Sequence, residues 1–388
     1  MRLGLDGLPL LEIKTGIGRY TYELATALRR LSYDLELFYD YRTSWSRDIV
    51  SIDVDEVHSI PRKAVAALKR CLPVALKRHL QDKIYHWSYR HNKLDLYHAT
   101  NYIAPEYDLP LAVTVYDLSF IRYPEMHPAS RHAWLARGFH STIRRARQII
   151  TISEFSKNEI VELLGVDPEK ISISYPGVDS SFRPLHPDFL KPKLKKWSLK
   201  PAEYILSVGT LEPRKNLGNL FKAYDLLPNG FKKKWPLVVV GMTGWKEKRI
   251  IKEMETLIRK GNLVPLGYLS DDQLATIYAG AKILVYPSLY EGFGMPPLEA
   301  MACGIPVISS NRASLPEVVG QAGVMVDPED IKAVSHAIES VLTDSQKHHT
   351  MSREGLRQAA KFTWQACAEK TFGVYQKILE NSIYANRG

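Results

Sequence analysis

The sequence predicts an α/β protein built of two doubly wound units facing one another across a cleft. Three observations predict it. A length of 388 residues suits two domains of ordinary size rather than one core. Short apolar runs alternate with helical patterns, which implies mostly parallel sheets covered on both faces. The alternation stops at a Pro- and Lys-rich stretch, from Pro176 to Pro201, and then restarts.

In the first half, Leu3–Leu5 reads as a strand, Tyr20–Leu31 as a helix and Leu35–Tyr39 as a strand. Leu96–His98, Leu111–Tyr116 and Gln148–Ile152 are further strands, and Ile171–Ser174 follows a helix at Glu154–Leu164. The stretch from Pro176, which holds Pro184, Pro187, Pro192 and four lysines in 191–196, reads as a linker. Beyond it, Tyr204–Val208 is a strand, followed by a turn and helix over Thr210–Leu226. Leu237–Val240, Leu263–Leu266, Ile283–Tyr286 and Val307–Ser309 read as strands. Ile250–Lys260, Asp271–Ala279, Pro296–Ala302 and Ile331–Leu342 read as the helices between and after them. The units are therefore expected at 1–183 and 184–365. Ligands of such sheets bind beyond the carboxyl ends of the strands, so a shared site is expected in the cleft.

Composition excludes several function classes. With 45% hydrophobic and 24% charged residues the chain should fold. No run reaches the ~18 apolar residues of a membrane span. The start, interrupted by Asp6 and Glu12, does not read as a signal peptide. Cys71, Cys303 and Cys367 have neither disulfide-framework nor zinc spacing, which fits a reducing cytoplasm. The net charge is +10, and residues 61–93 carry nine Lys or Arg against the single acid Asp82. Val65, Leu68, Leu72, Leu76 and Leu80 recur there at helical spacing. That stretch reads either as a basic amphipathic segment for an anionic membrane surface or as an ordinary solvated helix. No nucleic-acid-binding motif accompanies the charge.

The chemistry concentrates in three motifs. The first is Glu291-Gly-Phe-Gly-Met-Pro-Pro-Leu-Glu299, between a strand and a helix. Its glycines allow close backbone approach, and its prolines suit a helix's first turn. The helix N-terminus then offers free N–H groups to a diphosphate. Glu299 could accept from two vicinal ribose hydroxyls, and Glu291 from hydroxyls of a transferred sugar. The second is Gly209-Thr-Leu-Glu-Pro-Arg214-Lys215-Asn216 at a strand's carboxyl end. Its adjacent cations suit a pyrophosphate leaving group whose charge grows as a glycosidic bond breaks. The third is Thr15-Gly16-Ile-Gly18-Arg19-Tyr20. It lacks the third small residue of a dinucleotide fingerprint, so Gly16 and Gly18 are expected to present backbone N–H groups to a phosphate.

Together these motifs resemble the large retaining GT-B glycosyltransferase family, glycosyltransferase family 4, and within it bacterial GDP-mannose-dependent mannosyltransferases of lipopolysaccharide and capsule synthesis. The likeness spans nearly the whole chain and includes Gly304-Ile-Pro306 and Leu315-Pro316-Glu317. It implies that Arg214 and Lys215 bind the donor diphosphate, Glu299 the ribose, and Glu291 with Phe293 and Gly294 the donor hexose, with Met295 also among the donor-binding residues. It implies too that Ser153 meets the cleft and that a last helix, within 366–388, returns to the first unit. Where the family often has His-Asp, this chain has Tyr116-Asp117. Tyr116 could donate to a sugar hydroxyl or simply pack the strand end, which makes Asp117 a candidate catalytic group.

The expected reaction needs no cofactor and no metal. Asp53-Val-Asp55 looks like a metal-binding DxD but lies away from the cleft motifs. The expected partners are a nucleotide-sugar donor and a glycan or lipid-linked acceptor. A UDP-sugar donor, a sugar-nucleotide epimerase of the same fold, and a non-catalytic nucleotide-sugar-binding subunit are the alternatives.

Overall fold

A computed structural model of the chain describes residues 1–11, 16–31, 34–41, 45–49, 92–242, 244 and 248–385. The basic segment 61–91, Cys71 and Asp53-Val-Asp55 lie outside the described residues.

Thirteen described strands form two sheets. The first holds β1 (Arg2–Asp6), β2 (Glu36–Asp40), β3 (Trp45–Ser46), β4 (Leu96–Ala99), β5 (Leu111–Val115), β6 (Gln148–Thr151) and β7 (Ile171–Ile173), in the order β3-β2-β1-β4-β5-β6-β7. The second holds β8 (Ile205–Val208), β9 (Leu237–Val240), β10 (Leu263–Gly267), β11 (Ile283–Tyr286), β12 (Val307–Ser310) and β13 (Val324–Val326), in the order β10-β9-β8-β11-β12-β13. Every pairing is parallel except β2 with β3. Strands such as Leu237-Val-Val-Val240 and Leu111-Ala-Val-Thr-Val115 are buried throughout, because helices cover both faces.

This topology positions the site. In the first sheet the chain runs outward from β1 and then returns to place β4 on β1's other side; in the second, β11 returns beside β8 in the same way. Adjacent loops part at such a point and leave a crevice beyond the strands' carboxyl ends. The loops after β8 and β11 carry the second and first motifs, and the loop after β1 leads to the third.

Several elements depart from expectation. The stretch from Pro176 is no plain linker, since Pro187–Leu194 is a helix with Pro192 inside it. Pro187 sits in the first turn, where no N–H is needed, and the buried Leu190 and Leu194, one turn apart, anchor it. The helix expected to begin at Tyr20 begins at Gly16, so both glycines of the third motif belong to its first turn. The helices Ala129–Ala136, Phe139–Arg145 and Ser345–Ala359 were not expected. The last helix, Trp364–Ala385, packs against Gly16–Leu31, and its Tyr375 hydroxyl meets Nδ1 of the buried His98 at 2.7 Å. Among the described residues no helix is long and apolar enough to cross a membrane.

Candidate active site

Lys215 and Arg214 leave β8 on a short 3-10 turn, Pro213–Lys215, and both reach the loop after β11. Lys215 Nζ donates to Glu291 Oε1 at 2.7 Å, and Arg214 Nη1 to Glu291 Oε2 at 2.7 Å. The Tyr286 and Ser288 hydroxyls donate to Oε1 as well, at 2.8 and 2.6 Å. Three donors thus crowd Oε1, while Oε2 takes only one and keeps an acceptor position. Burial alone would push this acid up; Arg214 and Lys215 more than reverse that and hold it at about 2. Arg214 also donates to Glu212 Oε1 at 2.6 Å and to the Tyr290 carbonyl at 2.8 Å. Burial opposes its charge, but Glu291, Glu212 and Asp117 outweigh that and raise its pKa further. The motif thus anchors two cations on one buried carboxylate beside a helix N-terminus.

That helix is Met295–Ala302, with Pro296 and Pro297 in its first turn and Gly294, at φ +123°, as its N-cap. Glu299 is buried, and its Oε1 accepts from Arg19 Nη1 at 3.1 Å. Arg19 belongs to the first unit, so this contact crosses the cleft. Burial pushes Glu299 up to about 7, against the pull of Arg19. Phe293 turns its ring away, onto Tyr175 and Phe362 at 6.2 and 5.5 Å, leaving only its backbone to meet a ligand.

The two units also meet directly behind the motif. A side chain at Gly292 would stand 2.3 Å from the Tyr116 carbonyl, so this glycine admits the other unit's backbone rather than a ligand. The Ser153 hydroxyl donates to the Gly292 carbonyl at 2.7 Å, and Glu317 accepts from the Glu154 N–H at 2.8 Å and the Tyr175 hydroxyl at 2.6 Å. Tyr290 inserts between Tyr123 and Phe155, and its hydroxyl bonds Glu159 and the Leu118 N–H. In the third motif, a side chain at Gly16 would meet none of the described residues within 4 Å, whereas one at Gly18 would stand 2.6 Å from the Pro9 carbonyl.

Tyr116 packs the strand end rather than facing a sugar. Its hydroxyl donates to the Thr100 carbonyl at 2.6 Å, and burial raises its pKa well above the usual range. Asp117 accepts from the Ser119 N–H and hydroxyl at 3.0 and 2.7 Å, with the Tyr102 hydroxyl at 3.5 Å. Arg131 lies over the Tyr102 ring at 5.9 Å, and its buried Nε has no hydrogen-bond partner among the described residues. His127 is buried, 6.1 Å from the His132 ring, and burial and Arg131 lower it to about 4.

Sequence reasoning missed Glu212, Tyr286, Ser288, Tyr290, Glu317, Arg131 and His127, and gave Arg19 no role. Glu212 was in plain view inside the second motif. Tyr286 and Ser288, five and three residues before Glu291, were local as well, whereas Tyr290 and Glu317 find their partners in the other unit, where spacing carries no signal. Among the described residues no group of three or more His, Cys, Asp or Glu is placed to hold a metal ion.

Residues 191–358 match the family described as "Glycosyl transferases group 1", and residues 14–182 match "Glycosyltransferase Family 4". The chain is 37% identical to "O-antigen chain mannosyltransferase B" of Escherichia coli, over 94% of this chain and 96% of that one. It is 33% identical to "Serotype-specific mannosyltransferase WbdA" of Escherichia coli over 63% of this chain, a match spanning only 30% of that longer protein. Its fold matches sucrose-phosphate synthase from Thermosynechococcus elongatus with a TM-score of 0.74 at 20% identity, covering 98% of this chain and 100% of that one.

Proposed function

From the premise that this chain belongs to the family 4 glycosyltransferases of GT-B fold, we propose that it transfers mannose from GDP-mannose, with retention, to a glycan or lipid-linked acceptor in surface polysaccharide synthesis. The observation that carries this reading is the convergence of Arg214 and Lys215 on Glu291 beside the helix N-terminus at Met295. Relatives named as mannosyltransferases support the sugar.

In this reading the donor diphosphate lies at Arg214, Lys215 and the Gly294–Met295 helix end. The two cations, already aimed and already desolvated, meet charge that grows as the glycosidic bond breaks. Glu291 holds them in place, and its Oε2, with Arg214 as its one donor among the described residues, can take a sugar hydroxyl as well. Glu299 takes the ribose. Gly16 offers its open face to the phosphates from the first unit, with the Gly18 backbone beside it. Asp117, Arg131 and His127 present acceptors and donors to the incoming sugar. The acceptor attacks from the face the diphosphate leaves, and a leaving phosphate oxygen takes the acceptor's proton, so no protein base is needed. Arg214 and Lys215 supply the charge stabilisation without a metal or other cofactor. The acceptor side is assigned to 1–183 with the returning helix, and the donor side to 184–365. The enzyme acts in the cytoplasm, and the basic segment 61–93 holds it reversibly at the inner membrane face. Co-sedimentation with anionic vesicles that fails even at low salt would remove that last element.

A radiolabelled donor panel tests the whole reading. Transfer from GDP-mannose to a glycan acceptor is expected. Transfer only from a UDP-sugar would overturn the donor, release of an altered free sugar would indicate an epimerase, and binding without transfer an idle subunit.

A further inference from the structure

Among the described residues of the third motif, Arg19 extends its side chain to the opposite unit. Its guanidinium contacts Glu299 at 3.1 Å and Asp271 at 3.9 Å, and lies over the face of Phe182 at 4.9 Å. Both partners of the Arg19–Glu299 pair are largely buried, with 14% and 6% of their side chains exposed. The contact joins the helix Gly16–Leu31 of one sheet's unit to the helix Met295–Ala302 of the other's.

We propose that Arg19 is a positioning residue for the donor: reaching Glu299 from the opposite unit, it pairs with the carboxylate form, the form that can accept both ribose hydroxyls. This rests on the reading of Glu299 as the ribose acceptor.

A protonated carboxyl has a donor of its own and too few free acceptor positions to take two hydroxyls cleanly. Arg19 occupies one lone-pair position on Oε1, which leaves room for both hydroxyls without displacing it. The titratable and charged groups facing Glu299 are few. Arg19 comes from the first unit, Asp179 from the connection, Asp271 and Tyr278 from the helix Asp271–Gly280, and Cys303 lies one turn along its own helix. Among the described residues Arg19 is the one cation named there, and the two aspartates push the other way. Burial already brings this acid to about 7 with Arg19 present, so the balance is close at neutral pH. An opposite charge at this range shifts a carboxyl by roughly 1–3 pKa units. The donor's nucleotide end, bound by one unit, would therefore depend on a residue of the other.

The test is calorimetric titration of the full chain with GDP, and with UDP in parallel, from pH 6 to pH 9. The variants are Arg19→Gln, Arg19→Lys and Glu299→Gln. Ratios to wild type cancel the titration of the nucleotide's own phosphate. Arg19→Gln should bind about tenfold more weakly at pH 7, a deficit shrinking to less than about twofold at pH 9. Arg19→Lys should restore most of the affinity and the wild-type profile. A deficit that is constant with pH, or a lysine variant no better than glutamine, would sink the inference. Should Arg19→Gln fail to fold, the lysine variant and the wild-type profile still decide. A wild-type affinity with no rise through pH 7 relative to Glu299→Gln overturns it. If Glu299→Gln leaves nucleotide affinity unchanged at every pH, the ribose reading itself falls. If that variant weakens binding while Arg19→Gln behaves as wild type, only the role of Arg19 falls.

Discussion

Glu291 and Glu299 share one motif and comparable burial, yet their affinities for a proton are pushed in opposite directions. Glu291 sits in a loop, takes four hydrogen bonds from two cations and two hydroxyls, and is held at about 2. Glu299 sits one helical turn inside a helix, has a single cation that must cross the cleft, and is raised to about 7. Burial is nearly the same in both, so the number and origin of the donors decide the charge. A carboxylate whose partners come from its own unit is a permanent fixture. One whose partner comes from the opposite unit is conditional on the two meeting.

The largest expected effect tests the permanent fixture. Glu291→Ala removes the carboxylate that Arg214 and Lys215 share, leaving two largely buried cations short of a partner, and should destabilise the fold by about 3–5 kcal/mol. Chemical denaturation checks this, and a loss below about 1 kcal/mol would mean that the cations relax into water. Next, Lys215→Ala should lower kcat by roughly 10²–10³ while the donor KM changes far less, because the leaving diphosphate carries most charge in the transition state. A change confined to KM would reduce Lys215 to a uniform binding contact.

Stability against pH separates the two glutamates by sign. Glu291 lies below its ordinary value of 4.5, so its contribution is present above that pH and is lost as pH falls through about 2. Glu299 lies above 4.5, so the folded chain holds its extra proton between 4.5 and about 7 and loses stability as pH rises across that window. The unfolding free energy of wild type relative to Glu299→Gln should therefore fall by roughly 2–3 kcal/mol between pH 5 and pH 8. A flat difference would place Glu299 in the same state as Glu291. Glu299→Ala should weaken donor binding by about 1.5–3 kcal/mol through the lost ribose contact, measured by calorimetry. The smallest expected effect is none at all: EDTA should leave transfer intact if Arg214 and Lys215 carry the leaving group. Loss on chelation, restored by magnesium or manganese, would assign that charge to an ion.

The sequence made the conditional half of this comparison harder to read than the permanent half. Alternation of apolar runs located most strands within a residue or so, since a parallel strand buried on both faces leaves a plain signal, as Leu237–Val240 and Ile283–Tyr286 do. The two motifs of the second unit followed from strand ends and helix starts, which are local facts. Tyr116 stayed open in the sequence because it had two roles and only packing decides; Thr100, sixteen residues away, supplies the acceptor for its hydroxyl. The short helix at Pro187 was hidden because its prolines argue for a break, while its two leucines give too brief a period to outweigh them. Arg19 and Glu299 are 280 residues apart, and no spacing rule reaches that far.

The returning last helix bears on how the chain is made. His98, beneath the first sheet's surface, has Tyr375 and Thr114 as its partners, and Ser174 bonds the Cys367 carbonyl. The strands of the first sheet are all synthesised by Ile173, but their covering is not complete until Trp364–Ala385 has emerged. At ordinary synthesis rates that interval is on the order of ten seconds or more. Through it the nascent first unit carries an uncovered apolar face, while the second unit, whose sheet closes at Val326, can mature first. The unit begun first is thus the last to be fully covered, and a ribosome-bound chain stopped short of the last helix would still expose that face.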